Sequence, residues 1–337
     1  MKLCDHAAMR LKLLLSVLSL LAFVSCAGKE VADKIPELYW PLPPERPRIK
    51  FVDIIAGSGD IEARFRKIRQ FFFGEDLDAN FQKPFGIAVR KGRLYVSDIG
   101  MVHYLDFGRG VYKRIGESDL RVPTGIALSE DRIFVADAAK KKIFVYDLNG
   151  QFIAFFGGKE LDTPAGLALD EQRGRLIVSD SHKNKIMVYG LDGALLSSFG
   201  ETGHAPGALY IPYGVTVDKD GRIYVVDSGN FRVQIFDEKG SFLKVVGEIG
   251  TSPGNFARPK GVALDSDGHI YVLDAAFGNF QIFDMDGNVL LAVGRTGTDP
   301  AEFVLPSSIS IDEKDQIYIV DQVNKRVQIF QYLREGT

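Results

Sequence analysis

The chain has 337 residues, of which 46% are hydrophobic and 25% are charged, as in one large globular domain or two ordinary ones. Its formal net charge of −3 gives no electrostatic reason to expect nucleic acid as a partner. Two cysteines, both within the first 26 residues, exclude a disulfide framework.

The first 25 residues predict a secretion signal. Basic residues at positions 2, 10 and 12 precede an apolar run from Leu13 to Val24. Such a run is too short to span a bilayer and suits the hydrophobic core of a signal peptide. We therefore expect residues 1–25 to be removed, with an uncleaved anchor or a plain secreted protein as the alternatives.

The signal ends in Ala-Phe-Val-Ser-Cys, which resembles the bacterial lipobox. In that motif the cysteine is diacylated and becomes the mature N-terminus, so the expected lipidation site is Cys26. Ala27 follows it, which resembles the pattern sorted to the outer membrane. The predicted location is the bacterial cell envelope, lipid-anchored at the periplasmic face of the outer membrane.

Residues 26–47 are proline-rich and polar, and they predict an extended tether of polyproline type. For Trp40, packing against the domain is favoured over a role as a docking anchor. A lone β-like segment, residues 48–57, follows. An insertion at about 58–74 then places Ile61, Phe65, Ile68 and Phe72 at helical spacing, beside basic residues. This helix is expected to cap the domain, and a membrane-surface role is the alternative.

The rest of the chain is a repeat. Each copy opens with Pro-X-Gly (once Pro-X-Ser), at spacings of 39, 41, 48, 47 and 47 residues: Pro84, Pro123, Pro164, Pro212, Pro259 and Pro306. Each copy then places an aspartate after a β-run: Asp98, Asp137, Asp180, Asp227, Asp274 and Asp321. Six copies with periods of this length predict a propeller or a related repeat architecture.

Within one copy, four short apolar runs are separated by turns, among them Asp-X-X-Gly turns such as 147–150 and 237–240. Runs that are apolar on both faces indicate strands sandwiched between neighbouring sheets. The last copy lacks its outer strand, and residues 48–57 match that missing piece. The predicted fold is therefore an all-β, six-bladed β-propeller over residues 48–333, with four-stranded antiparallel blades and a ring closed by the N-terminal strand.

The pattern Pro-X-Gly-[Ile/Val]-Ala-Val-Asp, then Tyr-Val-X-Asp, then Asn-X-Arg-[Ile/Val]-Gln-[Ile/Val]-Phe-Asp resembles the NHL repeat, and the leader resembles bacterial six-bladed NHL lipoproteins. That family includes amidating lyases with histidine-bound zinc. Their zinc histidines lie between the Pro and the Gly, whereas this chain has no histidine in that slot. RNA binding, known for some eukaryotic NHL proteins, conflicts with the secretion signal.

The six aspartates recur in every blade, which indicates a structural role in turn capping. Five residues after each aspartate comes a mostly basic slot: His103, Lys142, Lys185, Arg232, Asn279 and Arg326. His103, His182 and His204 fall in loops at one end and His269 falls at the other. They are interpreted as surface histidines, and the Asp-X-Asp-Gly turns as hairpins rather than calcium loops. We expect no metal, no cofactor and no catalytic residue.

Ligand recognition is expected at positions that vary between blades, around one mouth of the channel. The candidate residues are Phe85, Thr124, Tyr213, Lys260, Ser307 and His182, with Ala165 in the same Pro-X-Gly slot. The residue after each aspartate faces the same mouth: Ile99, Ala138, Ser181, Ser228, Ala275 and Gln322. Basic loops at 139–142, 182–185 and 324–326 add positive charge, interpreted as solvated loops or as a site for an acidic partner.

The predicted function is that of a lipid-anchored scaffold that binds a protein, a peptide or an envelope polymer on its loop face. An enzyme with a site at the channel mouth, either a lyase or a hydrolase, is the alternative. The chain has none of the short catalytic motifs of serine hydrolases, phosphate-binding loops or zinc proteases.

Overall fold

The computed structural model describes residues 36–61 and 80–334. In this part of the chain, six antiparallel sheets stand around a central channel. The innermost strand of each sheet contacts the innermost strand of the next, and the last contacts the first, so the sheets close a ring. The fold is a six-bladed β-propeller, as the repeat predicts.

Strands are numbered β1 to β27 in chain order. The inner strands are β3 Ile87–Arg90, β7 Pro123–Leu128, β11 Pro164–Asp170, β15 Pro212–Val217, β19 Pro259–Leu264 and β25 Pro306–Ile311. The second strands are β4 Arg93–Asp98, β8 Arg132–Asp137, β12 Arg175–Asp180, β16 Ile223–Asp227, β20 Ile270–Asp274 and β26 Gln316–Asp321.

The third strands are β5 Met101–Asp106, β9 Lys142–Asp147, β13 Lys185–Gly190, β17 Arg232–Phe236, β21 Asn279–Phe283 and β27 Arg326–Tyr332. The outer strands are β6 Val111–Ile115, β10 Phe152–Gly157, β14 Leu195–Phe199, β18 Phe242–Val246, β22 Val289–Val293 and, for blade 6, β2 Ile49–Ile55. Short pieces are β1 Tyr39–Trp40, β23 Arg295–Thr296, β24 Glu302–Phe303 and a 3₁₀ turn at Ser228–Asn230.

The core lies between the blades, in six clusters that each join two neighbouring sheets. The second strand of blade 4, Ile223–Asp227, is buried along its whole length, and the third strand is buried after its first residue. Apolar residues on both faces of these strands are explained by a blade on each side. The outer strands of blades 2 and 3 are far more exposed, and only the residues at their C-terminal ends are partly buried.

The ring closes through the N-terminal strand, which confirms the prediction from the incomplete last copy. Strand β2 pairs antiparallel with β27, and the sheet runs β1-β2-β27-β26-β25. Blade 6 therefore has five strands, because Tyr39 and Trp40, within the proline-rich segment, add β1 to its edge. The Trp40 ring lies 6.0 Å from the Phe330 ring, so this tryptophan packs on the domain.

The glycine of Pro-X-Gly allows the inner strands to approach one another at the hub. A Cβ at Gly214 would lie 2.7 Å from the Lys260 carbonyl oxygen, and one at Gly166 would lie 2.5 Å from that of Tyr213. Any side chain there would force two blades apart.

Residues 58–61 are helical, and Ile61 is buried in the cluster between blades 6 and 1. The remainder of the predicted helix, the signal peptide, Cys26 and the first part of the tether lie outside the described residues. Among the residues that are described, no helix is long and apolar enough to cross a membrane.

Candidate functional site

The six repeated aspartates define one face of the propeller. Each ends a second strand, and in blades 2 to 6 it lies beside the proline that begins the inner strand, as in the pairs Pro164↔Asp180 and Pro212↔Asp227. We call this side, where the turns between second and third strands and the connections between blades emerge, the loop face. All six aspartates are almost completely buried.

Each aspartate binds the connection that precedes its own blade, which sequence reasoning did not anticipate. In blades 2, 3 and 5, two backbone N–H groups of that connection donate to the carboxylate, and one or two N–H groups of the following turn donate as well. In blade 5, Ala257 and Arg258 donate to one Asp274 oxygen, and Ala276 and Phe277 donate to the other. The carboxylate therefore clamps two loops together.

Blades 4 and 6 build this clamp from side chains. In blade 4 a single backbone N–H, that of Tyr210, donates to Asp227 Oδ1. Asp227 Oδ2 accepts hydrogen bonds from Asn230, Arg232 and Gln234, at 2.8, 2.9 and 2.9 Å. Blade 6 repeats the arrangement with Asp321, Asn324, Arg326 and Gln328. Acid and base are thus braced together in a buried corner rather than exposed as a reactive pair.

The glutamines accompany the long connections of blades 4 to 6. The Gln234 side chain accepts a hydrogen bond from Gly207 N–H and donates to the Ala208 carbonyl, which fixes the loop ahead of blade 4. Gln281 binds Gly254 and Asn255 in the same way. These three blades are those with spacings of 47 or 48 residues, so the glutamine marks the longer loop.

His103 is not a surface histidine and does not occupy the basic slot. The turn of blade 1 is shorter, since Asp98 pairs with Met101, whereas Asp227 pairs with Arg232. His103 therefore takes the position of Gln234, is only 2% exposed, and places Nε2 3.3 Å from Asp98. Its Nδ1 lies 2.8 Å from the Tyr112 hydroxyl. Burial opposes ionisation of Asp98, but the hydrogen bonds from His103 and three backbone N–H groups lower its pKa.

The slot between Pro and Gly lines the channel mouth in all six blades: Phe85, Thr124, Ala165, Tyr213, Lys260 and Ser307. The cavity at this mouth is only about 60 Å³. The rings of Phe85 in blade 1 and Tyr213 in blade 4 approach to 6.0 Å across the channel. The mouth is therefore filled by aromatic side chains and leaves little room for a ligand inside the channel at this end.

Thr124 and Ser307 serve as braces between blades. The Thr124 hydroxyl donates to the Pro164 carbonyl at 2.9 Å, and the Ser307 hydroxyl donates to the Phe85 carbonyl at 2.7 Å. Ser228 and Gln322, from the positions after the aspartates, make similar bonds to neighbouring blades. These four polar groups are already used in closing the ring.

Lys260 is the distinctive charge at the mouth. Its Nζ lies 3.5 Å from the centroid of the Tyr213 ring, a cation–π geometry. Burial, together with the nearby Arg258 guanidinium, lowers the pKa of Lys260 to about 8. Burial also raises the pKa of Tyr213. Among the residues that the structure describes, no carboxylate lies within ion-pair distance of Lys260, so a carboxylate from a partner would find it unneutralised.

The remaining histidines are spread over both faces. His182 is exposed and pairs with Asp162, away from the residues that line the mouth. His204 contacts Asn230 on the loop face, while Asp265 on the opposite face accepts a hydrogen bond from His269 and raises its pKa. Over residues 36–61 and 80–334, no three His, Cys, Asp or Glu side chains are grouped to hold a metal ion.

The loop face also carries exposed apolar side chains, of which the sequence reasoning had placed only Ile99 at this face. Seven residues there are 40–66% exposed: Ile99, Val122, Tyr210, Ile211, Ile249, Leu305 and Val323. We call them the apolar ring. Three of them directly precede the proline of a repeat, a position where a solvated loop would be expected to be polar. Aligning the repeats on that proline would have revealed these three residues.

Two members of the apolar ring have strained backbones. Ile211 and Leu305 have φ angles of 53° and 50°, in the left-handed region that disfavours any residue with a Cβ. For a β-branched isoleucine this is a genuine outlier, and such strain clusters at functional sites. The side chains of Ile211 and Leu305 are exposed rather than buried.

The opposite mouth is wider and charged. A cavity of about 560 Å³ opens there between the inner strands. Arg90 stands where the other blades have Ser or Asp, and its guanidinium reaches Glu130 in blade 2 and Glu171 in blade 3, both at 3.0 Å. Lys91 pairs with Glu130 at 3.1 Å. Because these charges neutralise one another, they tie blades 1 to 3 together at this end.

Comparison with known proteins places this architecture in a family. A family model described as "6-bladed beta-propeller" matches residues 117–200, 213–278 and 264–335. The chain belongs to this 6-bladed beta-propeller family. No curated protein matches the chain.

Solved propeller structures resemble this family member in fold. A structure titled streptogramin B lyase shares 16% identity over 77% of this chain and 96% of its own, with a TM-score of 0.55. An auxiliary nutrient binding protein from Bacteroides thetaiotaomicron VPI-5482 shares 13% identity over 75% of this chain and 70% of its own, with a TM-score of 0.60. The nidogen/laminin complex contains a chain with 17% identity and a TM-score of 0.57, over 72% of this chain and 93% of that one. At these identities the likeness shows the fold alone.

Proposed function

We propose that this propeller binds a protein, peptide or envelope polymer bearing carboxylate groups, on its loop face. The observation that carries the proposal is the pairing of the apolar ring with Lys260, a cation with no carboxylate partner among the described residues. Exposed apolar patches on a protein surface mark interaction sites. A cation at such a patch favours a partner that carries negative charge. The absence of a deep pocket at this mouth favours an extended partner over a small molecule.

We further propose that the chain is an NHL-type bacterial lipoprotein. In this proposal residues 1–25 are removed, Cys26 is diacylated, residues 26–47 form the tether and residues 48–333 form the binding domain. The packing of Trp40 on blade 6 supports a tether whose distal end is fixed to the propeller. The protein would then present its loop face to partners at the periplasmic face of the outer membrane.

Enzymatic alternatives gain no support from a specific observation at the mouth. Some similar structures are lyases by title, and others are nutrient-binding by title. The Pro-X-Gly slot here offers Phe, Thr, Ala, Tyr, Lys and Ser, which suits contact with a partner better than acid–base chemistry.

The binding proposal is tested by pull-down from solubilised envelopes with wild type, Lys260→Glu and Ile211→Ser. Lys260→Glu reverses the charge that would meet the partner's carboxylate, and Ile211→Ser removes one member of the apolar ring. We expect both variants to lose the partner captured by wild type. The matched control is Lys239→Glu, an exposed lysine in a hairpin on the opposite face, which should retain it. Equal capture by all four proteins contradicts the proposal.

The pH dependence of capture provides a second test. Lys260 is charged below its pKa of about 8, so binding that depends on this charge should weaken as the pH rises through that value. Lys260→Met should bind weakly with a flat profile over the same range. A wild-type profile that stays flat to pH 9.5 would show that the lysine charge is not used.

Lipidation is tested separately by labelling cells with radioactive palmitate. Label incorporated into wild type and absent from Cys26→Ala, with the variant found in the soluble periplasmic fraction, is the expected result. Label in both, or in neither, overturns the anchor without bearing on the loop face.

A further inference from the structure

The outer strand of blade 2, Phe152–Gly157, carries an exposed aromatic patch at the rim of the propeller. Phe152 and Phe155 are 48% and 52% exposed, and their ring centroids lie 6.4 Å apart. Both rings also approach the Phe144 ring, at 6.3 and 6.0 Å. An irregularity in the pairing between Phe152 and Ala154 brings the two phenylalanines to one face of the sheet. Three phenylalanine rings therefore lie together at the rim. Phe144 is buried, whereas Phe152 and Phe155 are about half exposed and add little to the core.

Two lysines lie on these rings. Lys142 Nζ is 3.5 Å from the Phe155 centroid, and Lys140 Nζ is 5.5 Å from that of Phe144. Within the described part of the chain, neither lysine has a carboxylate within ion-pair distance, whereas their neighbour Lys141 pairs with Asp162. The patch is therefore both aromatic and positively charged.

The strand also has a free backbone edge. Strand β10 is the last strand of its sheet, in the order β10-β9-β8-β7, so one row of its N–H and C=O groups faces outward. In blade 6 the corresponding edge is covered, because Tyr39 and Trp40 add strand β1 to β2. The propeller thus already shows that the outer edge of a blade accepts an extended segment.

The outer strand of blade 1 is protected in a different way. It carries Lys113 and Arg114, both exposed, and charged side chains on an edge strand discourage pairing with another chain. Blade 2 has the sequence FIAFFG at the same place, with no charge on the strand itself. The outer strands of blades 3 and 5 are uncharged as well, but blade 2 alone combines an uncharged edge with two exposed phenylalanines. Such an edge favours association with another strand.

We propose that the edge of blade 2 is a second binding site, independent of the loop-face site, which takes an extended acidic peptide segment as an additional β-strand. The backbone of β10 supplies main-chain hydrogen bonds, Phe152 and Phe155 receive apolar side chains, and Lys140 and Lys142 bind the carboxylates. A second copy of this chain fits less well, since it would bring its own uncompensated lysines to the contact. A lipid surface offers no N–H or C=O row to pair with the edge.

The test uses two fluorescein-labelled eight-residue peptides with detergent-solubilised full-length protein. The acidic peptide repeats Glu-Phe-Glu-Val, and its control repeats Lys-Phe-Lys-Val. Fluorescence anisotropy should show saturable binding of the acidic peptide alone. Phe155→Ser and Lys142→Glu should each weaken that binding about tenfold. The matched controls are Phe242→Ser in the outer strand of blade 4 and Lys239→Glu in an exposed hairpin, and both should bind as wild type.

Backbone pairing is tested with two versions of the acidic peptide, each N-methylated at alternate amides so that the N–H donors of one of its two edges are removed. The version methylated on the edge that pairs with β10 should no longer bind. The proposal is overturned if both peptides bind equally, or if Phe155→Ser binds the acidic peptide as wild type does. It is also overturned if both methylated versions bind as well as the unmethylated peptide. Two further results would assign the edge to another occupant if the peptide does not bind: dimer formation in sedimentation, or binding to phosphatidylglycerol vesicles, that is lost in Phe155→Ser. Loss of the loop-face partner in Lys260→Glu leaves this result untouched, because the two sites share no residue.

Discussion

Blades 4 and 5 are neighbours with connections of similar length, yet their aspartates hold those connections differently. Asp274 in blade 5 is surrounded by four backbone N–H groups. Asp227 in blade 4 accepts one backbone N–H and three side-chain donors, one of them the Arg232 guanidinium. The same buried carboxylate thus serves two kinds of clamp.

The difference accompanies a difference in the backbone before the proline. In blade 5 the Arg258 carbonyl accepts a hydrogen bond from Ala275, next to the aspartate. In blade 4 the bond shifts by one residue on each side, from Gly229 to the Tyr210 carbonyl, and Ile211 takes the left-handed conformation. The side-chain clamp therefore coincides with a strained, outward-facing apolar residue, as it also does at Leu305 in blade 6. The side-chain clamp of the repeat is therefore linked to the exposed apolar side chains of the loop face.

The largest expected effect comes from removing the charge of the side-chain clamp. Asp227→Asn leaves the largely buried Arg232 without its counter-ion and should lower the free energy of unfolding by about 3–5 kcal/mol. Asp137→Asn disturbs only backbone donors and should cost about 1–3 kcal/mol. Urea denaturation of both variants measures the difference. Adding Arg232→Gln to Asp227→Asn should recover part of the loss; equal costs at the two sites would mean that the clamps are equivalent.

A smaller effect is expected at the glutamine that holds the long loop. Gln234→Met leaves Gly207 N–H and the Ala208 carbonyl without their partner and should cost about 1–3 kcal/mol. Met187 occupies the equivalent position in blade 3, where the connection is shorter. Met187→Leu should therefore cost less than about 1.5 kcal/mol. Thermal unfolding of both variants checks the contrast, and similar costs would show that the glutamine does not hold the loop.

Glycine substitution distinguishes the two backbones before the proline. Ile211→Gly relieves a left-handed conformation and should raise the free energy of unfolding by about 0.5–1 kcal/mol. Arg258 has no such conformation, so Arg258→Gly should lower it by a similar amount, because glycine adds freedom to the unfolded chain. Chemical denaturation of the two variants gives opposite signs if Ile211 is strained; a loss in both would refute the strain.

The smallest effect is a pH dependence in blade 1, where His103 replaces the glutamine. The folded state lowers the pKa of Asp98, so this group contributes stability that is complete above its unfolded pKa of about 4. That contribution is lost as the pH falls through the lower folded-state value. Asp98→Asn should be less stable near neutrality and should lose less stability between pH 5 and 2 than wild type does. Parallel stability curves for the two proteins would exclude the linkage.

Much of the fold could be predicted because the repeat is written in residue spacing. Six prolines and six aspartates at regular intervals, with strands apolar on both faces, indicate blades that cover one another. The unmatched strand at 48–57 predicted how the ring closes. The structure places the residues of the Pro-X-Gly slot together at one mouth, since each copy carries the slot at the same register.

The candidate site was only partly predictable. Thr124 and Ser307 belong to the right place, but their hydroxyls are bound to neighbouring blades, which no spacing could reveal. His103 was assigned to the wrong position because a turn two residues shorter shifts the register of the whole third strand. Phe152 and Phe155 fit the pattern of any strand of the repeat, because the sequence does not distinguish the exposed outer strand of a blade from its buried strands.

By itself the sequence determined the architecture, because repetition of the same short pattern leaves one way to bury every strand on both faces. The tertiary structure alone decided which polar groups remain available to a partner. That outcome depends on contacts between blades far apart in the chain: Lys260 on Tyr213, Phe85 across the channel from Tyr213, and Arg90 against Glu171. The order of residues fixes which groups exist, and closure of the ring decides which of them are already satisfied.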